Sequence, residues 1–112
     1  MKNISMKKTI LNYFKKFSNK DIDGLSLLFD ESVILKDWEI FAKGKAEVLD
    51  AISNIFNSVD SISIELDKLY LDGKVSICVI DIVINKFEVL KVVDLIKVNN
   101  DNKIIEISAY KQ

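Results

Sequence analysis

Residues 61–98 read SISIELDKLYLDGKVSICVIDIVINKFEVLKVVDLIKV, and this stretch decides the fold. Ile, Val and Leu fill it in short runs, the composition of β-strands rather than of helices. Asp72-Gly73 breaks the first run, and this dipeptide favours the backbone of a tight hairpin turn. The breaks predict strands from Ser61 to Leu71, Lys74 to Asn85 and Phe87 to Val98. A fourth, Lys103 to Lys111, follows the reversal Asn99-Asn100-Asp101-Asn102. Side chains alternate along a strand, so Leu90, Val92, Asp94, Ile96 and Val98 share one face while Lys91 and Lys97 take the other. An ionised carboxylate among hydrocarbon is costly. Asp94 is therefore protonated, hydrogen-bonded, or lining a cavity that needs an acid. Asp81 shares a face with Val79 and Val83 in the same way. Either both acids point into one cavity, where their repulsion raises at least one pKa, or one of them meets a lysine across the sheet.

Upstream of the strands the period changes. Ile10, Tyr13, Phe14 and Phe17 recur at helical spacing opposite Lys7, Lys8, Lys15 and Lys16, which predicts an opening helix from Asn3 to Ser18. A second, short helix carries Ile22, Leu25, Leu28 and Phe29, capped by Asn19 or Asp21. Val33 to Asp37 is a short strand, and Lys43-Gly44 turns into a third helix whose apolar stripe is Val48, Ile52, Ile55, Phe56 and Val59. Helices in the first half and strands in the second are the pattern of an α+β domain. With 112 residues, 49% of them hydrophobic, the chain suits one domain spanning residues 1–112 with a modest core.

Absent residues narrow the chemistry. The sequence has no histidine, arginine or proline and a single cysteine, so a Ser-His or Cys-His dyad and a zinc cluster fall away. No acidic loop has the spacing of a calcium site, and the isolated Gly24, Gly44 and Gly73 form no phosphate loop. A net charge of −1, with scattered lysines, argues against nucleic acid as partner. No apolar run has the length of a membrane span or a signal core. Cys78, in Ser76-Ile77-Cys78-Val79-Ile80, reads as a small buried hydrophobe. Together these features lead to the expectation of a cytoplasmic protein without a membrane partner.

In order and spacing, several local strings resemble the NTF2-like superfamily, which includes SnoaL-like proteins and ketosteroid isomerase. They are Asn19 to Leu25 after the first helix, Leu28-Phe29-Asp30-Glu31-Ser32-Val33 leading to Asp37, Lys43-Gly44-Lys45-Ala46, and Asn102-Lys103-Ile104-Ile105 with Ala109-Tyr110. The resemblance covers nearly the whole chain. It implies a cone in which three N-terminal helices pack in the concavity of a curved, mostly antiparallel sheet. It also implies a homodimer formed through the outer sheet surface. Ketosteroid isomerases resemble this chain at Tyr13, Asp37 and Asp94. Their likeness implies that Asp37 is the general base, and that Tyr13 and a protonated Asp94 donate hydrogen bonds to an enolate oxygen. Trp38, Asp81 and Ile107 would complete a pocket for a small hydrophobic carbonyl compound, with no cofactor and no metal. Trp38 is a pocket wall or a capping hydrophobe.

The chain also departs from those isomerases. Trp38 stands where many have proline, Phe29 and Ile52 where some have tyrosines that support the counterpart of Tyr13, and Lys111 near a position that is commonly aromatic. These differences bear on steroid specificity more than on the cavity. The alternative is a non-catalytic domain that binds a small ligand or dimerises, and a third reading is a hydratase or cyclase using the same carboxylates.

Overall fold

Met6, Ile10, Tyr13, Phe14 and Phe17 fall on one stripe of the first helix and are all buried, which fixes how that helix lies on the rest of the chain. The computed structural model describes residues 2–112. Its elements are α1 (Lys2–Ser18), α2 (Ile22–Leu28), β1 (Phe29–Lys36), β2 (Phe41–Lys43), α3 (Lys45–Asn57), β3 (Ile62–Asp72), β4 (Val75–Ile84), β5 (Glu88–Val98) and β6 (Ile104–Lys111). The six strands form one open mixed sheet in the order β2-β1-β6-β5-β4-β3. Only β1 and β6 run parallel, and every other neighbouring pair is antiparallel. The α+β architecture expected from the sequence is therefore the one observed. No described helix is long and apolar enough to cross a membrane.

Most element ends lie within a residue or so of the sequence reading, and the larger differences fall between α2 and α3. Phe29 is the first residue of β1 rather than the last of α2. The helix stops there because the Asp30 carboxylate takes both the backbone N–H and the hydroxyl of Ser32, a local arrangement that competes with helical bonding. The pairing of β1 with β6 shifts register between Phe29 and Ile34 to absorb this turn. The strand β2 was not foreseen, because three residues between Ile40 and Gly44 carry no visible period. Its pairing with β1 (Lys36 with Phe41, Ile34 with Lys43) leaves residues 37–40 as a four-residue loop. Asp37 thus sits just beyond the strand end. Asp21, one of the two candidate caps, is the one used, accepting the Gly24 N–H at 2.9 Å.

Strand parity sorts the sheet into two faces. Leu35, Cys78, Ile80, Val92, Ile96 and Ile107 are buried in one core cluster with the helix residues Ile10, Leu25, Val48, Ile52 and Phe56. The opposite parity carries the exposed Tyr70, Ile77, Val89 and Tyr110. In the turn between α1 and α2, Lys20 ties that turn to the end of α3. Its ammonium donates to the carbonyl oxygens of Phe56 at 2.9 Å, Val59 at 2.7 Å and Asp60 at 3.2 Å, so it closes the C-terminal end of α3 where backbone acceptors lack partners. Charged hydrogen bonds of this kind contribute roughly 1.5–3 kcal/mol when buried. Because the site is only part-buried, Lys20→Met is expected to cost about 1–2 kcal/mol, read as a lower urea midpoint at unchanged slope.

Candidate active site

The helix-facing side of the sheet does not close completely against the helices. A cavity of about 200 Å³ remains, and its walls are mostly isoleucine and leucine, among them Ile52, Ile62, Ile82, Leu90 and Ile107. Four residues with an acidic or hydroxyl side chain line it: Tyr13 from α1, Asp37 and the exposed Glu39 from the β1–β2 loop, and Asp94 from β5. Strand alternation puts Asp94 there. Its direct neighbours across the sheet are Cys78 on β4 and Ala109 on β6, both small, so the carboxyl has room on the helix side. Tyr13 is held by its aromatic neighbours, with ring centroids 5.4 Å from Phe14, 5.8 Å from Phe17 and 6.1 Å from Phe29. Asp37 is aimed by its own loop. Its Oδ1 accepts the N–H groups of Glu39 at 2.7 Å and Ile40 at 2.6 Å, and its N–H donates to the Ile40 carbonyl at 2.9 Å. This is an Asx turn, a use to which aspartate is well suited.

Asp94 is 5% exposed and Tyr13 3%, yet neither side chain has a hydrogen-bond partner among the described residues. No unpartnered polar side-chain atom is fully enclosed by described residues. The Asp94 carboxyl and the Tyr13 hydroxyl therefore border the cavity, where a ligand could supply the missing partner. Burial, with a smaller contribution from the charge of Asp37, raises the Asp94 pKa from 3.8 to about 7. Burial also pushes the Tyr13 phenol well above its ordinary value, helped by the charge of Asp94. Two acids of the same type thus hold different environments within one cavity, the arrangement that lets a carboxyl act as donor while another acts as base.

Trp38 and Ile107 also line the cavity; Asp81 does not. Asp81 lies on the outer face of β4, opposite Lys91, and pairs with its ammonium at 2.9 Å. Its place among the pocket residues is thereby corrected. The odd-numbered parity of β4 faces away from the helices, whereas on β5 the even-numbered parity faces them, and Asp94 has it. Cys78 lies behind Asp94 with its thiol pushed up to about 12, chiefly by burial, so it offers no thiolate at neutral pH. Among the described residues no three His, Cys, Asp or Glu side chains gather as a metal-ligand group. The apolar wall of Ile52, Ile55, Ile62, Ile64, Ile82 and Ile84 was not singled out as a pocket from the sequence. Strand parity identifies these positions as core, and only the spacing of the helices reveals that they leave a void.

The fold has solved counterparts. A candidate ketosteroid isomerase from Kribbella flavida superposes with a TM-score of 0.83 at 15% identity, over 96% of this chain and 78% of that one. An NTF2-like protein of unknown function from Cytophaga hutchinsonii gives 0.81 at 10% identity, over 96% and 89%. This chain has the NTF2-like fold. Within that fold, a candidate SnoaL-like polyketide cyclase from Shewanella denitrificans is also similar, with a TM-score of 0.83 at 11% identity, over 96% of this chain and 90% of that one. No protein-family model and no curated protein sequence matches the chain. An NTF2-like fold hosts several chemistries, so function must be argued from the cavity.

Proposed function

We propose that this NTF2-like protein is a ketosteroid isomerase-like enzyme that isomerises a small hydrophobic carbonyl compound by proton transfer through Asp37. The observation that carries the reading is the buried, unpartnered Asp94 carboxyl bordering the same apolar cavity as Tyr13 and Asp37. Asp37, as the carboxylate, removes a proton from the carbon next to the carbonyl and returns it further along the conjugated system. Protonated Asp94 and the Tyr13 hydroxyl donate hydrogen bonds to the oxygen on which charge develops. The loop amides of Glu39 and Ile40 hold one oxygen of Asp37 and leave the other for the proton. Isoleucine and leucine exclude water and strengthen each of these interactions. No cofactor takes part in this scheme.

Cavity size supports a substrate smaller than a steroid. Sites for drug-sized ligands run to roughly 300–1,000 Å³, and this cavity is about 200 Å³. A single-ring enone or a short-chain carbonyl compound matches it better. We further propose that the outer sheet face, with Tyr70, Ile77, Val89 and Tyr110 exposed, joins two copies of the chain. The reading that uses the same cavity for binding alone differs in one respect: it gives Asp37 no role.

Titration with a single-ring phenol, a stable mimic of the enolate, tests the site. Wild type is expected to bind it with Tyr13 and protonated Asp94 as donors. Asp94→Leu, which removes the donor at similar volume, should weaken binding about tenfold or more, since a hydrogen bond near a charged oxygen contributes roughly 1.5–3 kcal/mol, while Asp37→Asn should leave it unchanged or tighter. Failure of wild type to bind, by fluorescence and by calorimetry, would sink the proposed oxyanion site.

A further inference from the structure

Outside the cavity lies a larger open groove of about 560 Å³, and the two hollows share three wall residues, Asp37, Trp38 and Ala109. The groove exists because β1 ends at Lys36, opposite Ser108, whereas β6 continues to Lys111. Beyond Ser108 the edge of β6 has no β1 partner, and Lys36, Asp37 and Trp38 line the groove beside it. Two lysines, Lys36 and Lys111, line the groove, and neither has an acid partner among the described residues. The Lys111 ammonium lies 5.3 Å from the centroid of the Trp38 ring, a cation–π contact. Trp38 is 40% exposed, so its indole has one side toward the cavity and another toward the groove.

We infer that the groove is the outer subsite of the same binding site and takes the carboxylate end of an amphiphilic substrate whose carbonyl end fills the inner cavity. The inference rests on the isomerase-like reading and adds the substrate class to it. Electrostatics sets the orientation. An anionic group is disfavoured in the apolar cavity beside Asp37 and Asp94 and is drawn to the free ammonium groups of Lys36 and Lys111. Asp37 faces the groove as well, but its Oδ1 is held by two backbone amides, which offset part of its charge. The exposed indole of Trp38 supplies an apolar surface for the chain that links the two ends. The small inner cavity then sets the size of the carbonyl end only, and the rest of the molecule lies outside.

Three probes test this: a para-alkylphenol, the same phenol with its alkyl chain ending in a carboxylate, and the carboxamide of that acid. Trp38 is the only tryptophan in the chain, and its fluorescence reports on both hollows. In wild type at low salt the acid is expected to bind about fivefold to tenfold tighter than the carboxamide, the sum expected of two exposed ion pairs. The advantage should shrink in about 1 M salt, where the screening length is about 3 Å. It should disappear in the double variant Lys36→Met/Lys111→Met, survive in Lys111→Arg, and survive in Lys68→Met, on the distant edge strand β3. Equal affinity for acid and carboxamide in wild type, with the alkylphenol bound, would overturn the inference and leave the isomerase-like reading intact. An advantage that persists in the double lysine variant would overturn the assignment of the groove. If none of the three probes binds, both the inference and the reading beneath it fall.

Discussion

Asp94→Asn is expected to leave folding stability near pH 4 almost unchanged and to make the protein more stable than wild type at pH 8, by about 4 kcal/mol at most. The sign follows from linkage. The Asp94 carboxyl titrates at about 7 in the folded protein against an ordinary 3.8, so between those values the folded state holds a proton that the unfolded state has lost. Stability contributed by this group is fully present below the unfolded value and is lost as pH rises through about 7. At about 1.4 kcal/mol per pH unit, the interval from 3.8 to about 7 gives about 4 kcal/mol. Asparagine has nearly the shape of the protonated acid and does not ionise, so the variant escapes the loss. Asp30 titrates in the opposite sense, because Ser32 hydrogen bonds to its carboxylate lower its pKa. That contribution is common to both proteins and cancels in their difference. Urea unfolding of both at pH 4.5, 6, 7 and 8 gives the comparison, and parallel pH profiles would show that Asp94 ionises normally.

A stabilising substitution at the most buried acid of a cavity is what a functional constraint produces. Natural sequences keep an unfavourable group where activity requires it, and asparagine or an aliphatic residue would serve folding better at pH 8. This is why Asp94 was legible as an anomaly from sequence: a period of two over nine residues leaves little freedom about which way a side chain points, so one acid on an aliphatic strand face is visible without coordinates. Asp81 gave the same signal for a different reason. The parity of β4 relative to the helices depends on how β4 registers with β5, and the pairing of Asp81 with Lys91 is a property of the assembled sheet. A one-residue change of register would have exchanged the faces. The loop that holds Asp37 was only half legible. Asp37-Trp38 marked a turn, but β2, which makes the loop four residues long and points the carboxylate inward, is too short to show a period. Least visible was the void itself. Its isoleucines read as ordinary core, and neither composition nor spacing tells whether helices and sheet meet over them or stand a few ångströms apart. The groove with Lys36 and Lys111 belongs to the same class, since it depends on where β1 stops relative to β6.

Asp37→Asn is expected to lower kcat for isomerisation of a small β,γ-unsaturated ketone by about 10²–10⁴-fold, the usual contribution of a positioned general base, while leaving the fold and the cavity in place. Asparagine keeps an oxygen that can accept the Glu39 and Ile40 amides, now made by the Asp37 Oδ1, so the loop should hold its shape and KM should move little. A loss confined to kcat identifies a group that acts in the transition state rather than in ground-state binding. Two further readouts follow the proton on Asp94 and its coupling to the Asp37 charge. In wild type kcat/KM should fall as pH rises past about 7, because Asp94 must hold its proton to donate to the enolate oxygen, and this alkaline limb should be missing in Asp94→Asn. In Asp37→Asn the Asp94 titration should move to lower pH, since the Asp37 charge is one of the two causes that raise it, but should stay above 3.8 because burial, the larger cause, remains. An Asp37→Asn protein that turns over the ketone at the wild-type rate would leave Asp37 as a loop-capping residue, and the cavity as a binding site whose buried acid serves recognition alone.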